Sequence, residues 1–153
     1  MKRIALFPGS FDPFTIGHKD IVERTLQSLA DEVIIAIGNN CDKKYLQSVE
    51  ERVESISKVF ENNPNVKVVA YDGLTVDFAK QVGAGLIVRG VRNMKDFEYE
   101  RDIADVNHRL TGIETVLLYT KPEYSCVSSS IVRELMSYNK DVTEFYPERN
   151  EKE

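Results

Sequence analysis

Cysteine is scarce in this 153-residue chain: Cys41 and Cys126 are the only two, far apart and in no metal-binding spacing. That excludes a disulfide framework and a cysteine-based metal site, and the pair reads as reduced thiols of a cytosolic protein, although spacing alone leaves a disulfide open. An excess of basic residues is also missing. Twenty Lys and Arg stand against 25 Asp and Glu, a formal charge of -5, so the chain does not coat nucleic acid by bulk charge. Any anionic ligand must be held by local clusters of cations. Long hydrophobic runs are absent as well. Met1-Lys2-Arg3 leads into a short apolar stretch that stops at Pro8, too little for a signal peptide, and no run is long enough to span a bilayer. A cytoplasmic protein with no membrane partner is expected. Repeats, low-complexity segments and linkers are lacking, which suits one domain over 1–153 with a charged, frayed tail at 148–153.

Several motifs are missing too. No G-x-G-x-x-G follows the first strand-like run, and no P-loop pattern occurs, which weakens dinucleotide and Walker-type readings. There is no Ser-His-Asp set, no covalent nucleophile and no cluster of His and carboxylates for a metal, so no protein metal site is expected. Catalysis by positioning and charge stabilisation fits better.

What is present is alternation. Apolar runs at Ile4–Phe7, Val33–Ile37, Val66–Ala70, Leu86–Val88 and Val116–Tyr119 read as strands. Helical periodicity appears over Lys19–Ala30, from a Ser48/Glu51 capping box through Phe60, over Thr75–Val82 up to Gly83, over Lys95–Leu110 and over Ser128–Tyr138. This order predicts an α/β fold: a single Rossmann-like domain whose five-stranded parallel sheet has helices on both faces. Ligands bind such sheets at the carboxyl ends of the strands, so the loops at 8–18, 38–47, 71–75, 89–94 and 120–130 are the ones to read.

Each of these loops holds a cluster. Gly9-Ser10-Phe11 offers backbone N–H groups and a hydroxyl, and Thr15-Ile16-Gly17-His18 places an imidazole at a helix start, where an anion is favoured. Lys43-Lys44 follows the second strand; Arg89-Gly90-Val91-Arg92 follows the fourth, with guanidiniums suited to bidentate phosphate contact. Tyr124-Ser125-Cys126-Val127-Ser128-Ser129-Ser130 opens the last helix with three serines where one would cap it, suggesting a second phosphate cradle. Alone, each has a plain surface or capping explanation. Together, on one edge of an acidic protein, they describe a polyphosphate site.

T-x-G-H at 15–18 and S-S-S-x-x-R at 128–133 resemble the nucleotidyltransferase superfamily. PGSFDPFTIGH, VEER at 49–52, VRGVRNMKDFEYE at 88–100 and YSCVSSS at 124–130 resemble the bacterial phosphopantetheine adenylyltransferases over about residues 3–147. The resemblance implies transfer of adenylyl from ATP to 4'-phosphopantetheine, giving dephospho-CoA and pyrophosphate in CoA biosynthesis. It implies catalytic roles for His18, Lys43 and Ser10. It places ATP against Ser10, Phe11, His18, Gly90, Val91, Arg92, Glu100 and the run Tyr124, Ser125, Cys126, Val127, Ser128, Ser129 and Ser130. It places phosphopantetheine against Ser10, Lys43, Thr75 and Arg89. Mg²⁺ arriving with ATP, a homohexamer built as a dimer of trimers, and feedback inhibition by CoA are further implications. Tyr124 and Cys126 depart from the aromatic pair usual there, His108 stands where relatives often have Arg, and one extra residue near Cys41 makes Lys43 rather than Lys44 the match. Two rivals remain: a relative using nicotinamide mononucleotide or glycerol 3-phosphate, and a nucleotide-sensing module without turnover.

Overall fold

A computed structural model gives the fold, and it describes residues 1–40 and 42–147. Cys41 and the tail expected at 148–153 lie outside the described residues. Strands and helices alternate: β1 Ile4–Gly9, α1 Ile16–Ser28, β2 Glu32–Gly38, α2 Val49–Val59, β3 Val66–Tyr71, α3 Thr75–Gln81, β4 Leu86–Val91, α4 Met94–Thr111, β5 Glu114–Tyr119 and α5 Ser129–Ser137. Short 3₁₀ turns at Pro122–Tyr124 and Thr143–Phe145 complete the described chain. All strand pairs are parallel, in the order β3-β2-β1-β4-β5.

The period of two in the central strands splits the core. Ala5, Phe7, Val33, Ile35 and Ile37 pack with Ile21 and Val22 of α1 and Ile56 and Val59 of α2. Leu6, Ile34, Ala36 and Ile87 point the other way, onto Val76 and Ala79 of α3. Helix α4 lies beside α3 against β4 and β5. The expected single α/β domain with helices on both faces is therefore what forms. Among the described residues no helix is long and apolar enough to cross a membrane.

The strand order reverses between β1 and β4, which places the crevice of this fold type at their carboxyl ends. The ladder explains how the crevice opens. β1 pairs with β2 from Ile4 through Gly9, but with β4 only at Ala5–Leu86 and Leu6–Ile87. A residue's N–H and C=O point to the same neighbouring strand, alternating along the chain. The Ile4 carbonyl accepts from the Gly85 N–H at 2.9 Å, just before β4, so Ile4, Leu6 and Pro8 face that strand, and proline has no N–H to continue the ladder. The Pro8 carbonyl instead accepts from Nη1 of Arg89, a β4 side chain reaching across the gap.

Candidate active site

A cleft of about 350 Å³ lies over this gap, lined by the β1–α1 loop, Arg89 and Gly90 at the end of β4, Arg92 just beyond it, and Val127–Ser130 at the start of α5. The β1–α1 loop is built tightly. Phe11 is buried at φ 48°, and a Cβ on Gly9 would lie 2.8 Å from its ring, so glycine is needed for that ring to fold over the strand end.

His18 is the third residue of α1 and closes a capping box with Thr15, the N-cap. The Thr15 hydroxyl accepts from the His18 N–H at 3.4 Å, and the Thr15 backbone N–H donates to Nδ1 of His18 at 2.9 Å. A backbone N–H can only donate, so Nδ1 is the acceptor, and Nε2 holds the proton of the neutral ring. The ring packs among Phe7, Phe11 and Phe14, with centroids 6.2, 5.0 and 5.3 Å away. Burial, with the charges of Arg89 and Arg92, lowers its pKa from 6.5 to about 3. His18 therefore stands at neutral pH as an uncharged N–H donor in the cleft.

This shift has a sign that can be tested. Between about pH 3 and 6.5 the unfolded chain carries a proton on this ring that the folded protein rejects. Stability from this group rises with pH across that window, by up to about 1.4 kcal/mol per unit, and is lost as pH falls below 6.5. In urea unfolding at pH 7 and pH 4.5, the wild type should lose more stability than His18→Gln. Equal losses would mean that the ring titrates normally in the folded protein.

Three arginines line the cleft, and each is fixed by a different contact. Arg89 pairs with Glu100, Nη2 to Oε1 at 2.7 Å and Nε to Oε2 at 3.0 Å. Glu100, expected as an ATP contact, thus has both oxygens on Arg89 while it also lines the cleft. Arg92 meets Asp96, Nε to Oδ2 at 3.2 Å. Arg133 donates to the Asp12 carbonyl at 2.7 Å and to Ser130 Oγ at 3.2 Å.

The serine run does more than the capping arithmetic suggests. Ser128 caps α5 through the Ile131 N–H at 3.1 Å, and Ser129 donates to the Pro13 carbonyl at 2.7 Å. With Ser130 on Arg133, all three hydroxyls have partners inside the protein. What the run offers an anion is the first-turn N–H groups of α5. Val127 to Ser130 line the cleft; Tyr124, Ser125 and Cys126 are not among its lining residues, and Ser125 and Cys126 are exposed. Val91 is buried in the sheet and lines no cavity described.

A second cavity of about 380 Å³ adjoins the first and shares Gly9, Ser10, Arg89 and Glu100 with it. Lys43 and Thr75 line it, so Ser10, Lys43, Thr75 and Arg89, the residues assigned to the acceptor, meet in one space. Its far wall comes from α4, through Tyr99, Ile103 and Asn107. Sequence reasoning read a helix over Lys95–Leu110 and passed over this wall, although spacings of four put the three on one face. Thr115 Oγ1 also lines this cavity, buried and without a hydrogen-bond partner among the described residues. Arg133 was quoted within a motif but given no role; its spacing of four from Ser129 was the available signal.

The cleft carboxylates Asp96 and Glu100 are each held by an arginine, and no group of three or more His, Cys, Asp or Glu suited to a metal occurs among the described residues. A divalent ion here fits oxygen ligands from a bound phosphate chain better than a protein cage.

Comparison with known proteins gives a consistent picture. The cytidylyltransferase-like family matches residues 6–135. A phosphopantetheine adenylyltransferase of Bacteroides thetaiotaomicron is 58% identical over 95% of this chain and 96% of its own. Proteins of the same name from Porphyromonas gingivalis, 55% identical over 96% and 95%, and Flavobacterium psychrophilum, 49% identical over 95% and 96%, are similar.

Proposed function

Because the chain belongs to the cytidylyltransferase-like nucleotidyltransferases and, within them, to the phosphopantetheine adenylyltransferases, we propose that it transfers the adenylyl group of ATP to 4'-phosphopantetheine, reversibly, giving dephospho-CoA and pyrophosphate. The observation that carries this reading is the pair of cavities meeting at Gly9 and Ser10, with His18 in one and Lys43 in the other. Two substrates placed in them bring their phosphates together at the shared wall, which is what a direct in-line displacement needs.

In this mechanism Lys43 and Ser10 hold the attacking phosphate of the acceptor. His18 donates from Nε2 to the α-phosphate as charge develops. Arg92, Arg133 and the N-terminal N–H groups of α5 hold the β- and γ-phosphates, so that pyrophosphate leaves as a stabilised anion. Phe11 and Val127 wall the nucleotide; Gly90 keeps the floor open, since a Cβ there would come within 3.3 Å of Ile21. The substrate is MgATP, with the ion carried on the phosphates. At the far end of the acceptor cavity, Thr75, Asn107 and the unpartnered Thr115 hydroxyl are uncharged groups suited to the amides of a pantetheine arm. A homohexamer is part of the same proposal, supported by the exposed apolar residues Ile103, Val106 and Leu110 on α4. So are inhibition by CoA, which carries the same arm, and a cytoplasmic location.

Pyrophosphate release from MgATP, measured with each acceptor in turn, tests the reading. Release with 4'-phosphopantetheine and little with nicotinamide mononucleotide or glycerol 3-phosphate is expected. Equal release with either of the others would reassign the acceptor, and ATP binding with no release at all would make this a sensing module.

A further inference from the structure

We propose that Arg52 is a positioning residue that holds the two sides of the acceptor-phosphate site in register: it fixes the main chain at Ser10 and, through Tyr45, the segment that carries Lys43. This rests on the reading of Ser10 and Lys43 as the groups that grip that phosphate.

Arg52 lines none of the described cavities and is 1% exposed, among the most buried large side chains of the protein. It is a costly choice for stability. The residue sits near the N-terminal end of α2, where the helix dipole disfavours a cation. Arg3, Arg24, Arg89, Arg92, Arg101 and Arg109 each have a carboxylate within ion-pair distance; among the described residues Arg52 has none. A buried cation without a counter-charge is expensive, so its contacts must fix it tightly to persist.

Those contacts converge on the acceptor site. Nη1 donates to the Ser10 carbonyl at 2.6 Å, a charge-assisted bond to a residue that lines both substrate cavities. Nε reaches the Ser48 carbonyl at 3.4 Å. The guanidinium carbon lies 4.0 Å from the centroid of the Tyr45 ring. The next two residues, Leu46 and Gln47, donate their N–H groups to the buried Asp12 carboxylate at 2.6 and 3.0 Å. Residues 42–47 are thus attached to the β1–α1 loop at two points: the Asp12 carboxylate and the Arg52–Tyr45 stack. Lys43 lies just before the stack, and its backbone N–H donates to the Asn40 carbonyl at 3.1 Å. Loss of the stack leaves the segment held at one point, and Lys43 is then free to move relative to Ser10.

The test uses the full chain with four variants: Arg52→Lys, Arg52→Met, Tyr45→Leu and Tyr45→Phe. Calorimetry gives the dissociation constants of 4'-phosphopantetheine and of MgATP; pyrophosphate release gives kcat. Arg52→Lys and Arg52→Met should weaken the acceptor about tenfold or more and lower kcat, with a clearly smaller effect on MgATP, whose cavity shares Ser10 but not Lys43 with that of the acceptor. Tyr45→Leu should weaken the acceptor by roughly three- to tenfold, the size of a partly desolvated cation–π contact, whereas Tyr45→Phe, which keeps the ring, should bind it at least about threefold more tightly than Tyr45→Leu. Adding Tyr45→Leu to Arg52→Lys should cost little more than Arg52→Lys alone. Should the Arg52 variants not fold, the Tyr45 pair decides by itself. Equal weakening of MgATP and acceptor, an unchanged acceptor constant, or Tyr45→Phe as weak as Tyr45→Leu would overturn the proposal. Wild-type binding of a different phosphorylated acceptor would overturn the acceptor reading alone, and the same variants are then scored with that acceptor.

Discussion

His18→Ala lowers kcat by about 10²–10³, the usual consequence of removing one preorganised donor from a developing charge, while the MgATP dissociation constant changes by no more than a few-fold. The asymmetry follows from the protonation state. An imidazolium would attract the triphosphate of bound ATP before reaction and would add ground-state affinity. The ring of His18 is held neutral by burial and by the charges of Arg89 and Arg92, so its one N–H contributes most when negative charge accumulates on the α-phosphate oxygens. The Thr15 N–H on Nδ1 fixes which nitrogen holds that proton. With a pKa of about 3 in the free protein, this ring also adds no break between pH 5 and 8 to the pH profile of kcat/KM, which reports the free protein. Pyrophosphate release kinetics and calorimetry separate the two quantities. A variant with wild-type kcat, or one whose loss lies entirely in ATP affinity, would remove His18 from the reacting centre.

Arg89→Met is expected to harm both stability and turnover, by different routes. The substitution leaves Glu100, whose side chain is 8% exposed, without its partner, and leaves the Pro8 carbonyl without a donor. Breaking a buried pair costs about 3–5 kcal/mol, and the lower end applies because the Arg89 side chain is 31% exposed. The same guanidinium lines both cavities, so kcat/KM for the acceptor should fall at least about 10²-fold, some 2.7 kcal/mol of barrier. Arg89→Lys should rescue little, because one ammonium cannot span a carbonyl and two carboxylate oxygens. The double variant Arg89→Met with Glu100→Leu separates the routes: removing both charges should restore most of the stability in urea unfolding and none of the turnover. Full activity in that double variant would contradict the assignment of Arg89 to the site.

The fold was legible because hydrophobic period is a local property: the five strand runs and five helices differ from the structure mainly at their ends. Those ends fail for a physical reason. Pro8-Gly9 and Arg89-Gly90 read as the beginnings of loops, yet β1 runs on because Pro8 and Gly9 sit opposite Ala36 and Ile37 of β2, and β4 because Gly90 sits opposite Leu118 of β5. Helix α1 starts at Ile16, three residues ahead of the periodic run from Lys19, because the Thr15–His18 box caps it there. At Ser48 the box is half made: the hydroxyl caps the Glu51 N–H, but the Glu51 carboxylate accepts from that hydroxyl, not from the Ser48 backbone.

The phosphate-facing loops were likewise visible as clusters, because each is contiguous in the chain. The groups that hold them in place were not. Arg52 reaches Ser10 across 42 positions, Arg89 reaches Pro8 across 81 and Arg133 reaches Asp12 across 121. Local spacing can put such an arginine on a ligand-facing turn, as it does for Arg133, but it does not show which distant carbonyl the side chain binds, so a guanidinium bound to the main chain looks the same in sequence as one that awaits a phosphate.

The short ladder between β1 and β4 makes the sheet two ribbons, β3-β2-β1 and β4-β5, stitched by Ala5–Leu86 and Leu6–Ile87. Each ribbon keeps its own long ladder, so the seam between them is where a small twist changes the width of the cleft without breaking either one. The cleft draws its walls from both sides of that seam: Gly9 and Ser10 from the first ribbon, Arg89 and Gly90 from the second. A ligand seated there closes the seam as a clasp closes two edges of cloth. Occupancy therefore stiffens the molecule where its own backbone hydrogen bonds run out, and amide exchange along β1 and β4 should slow together when substrate is present.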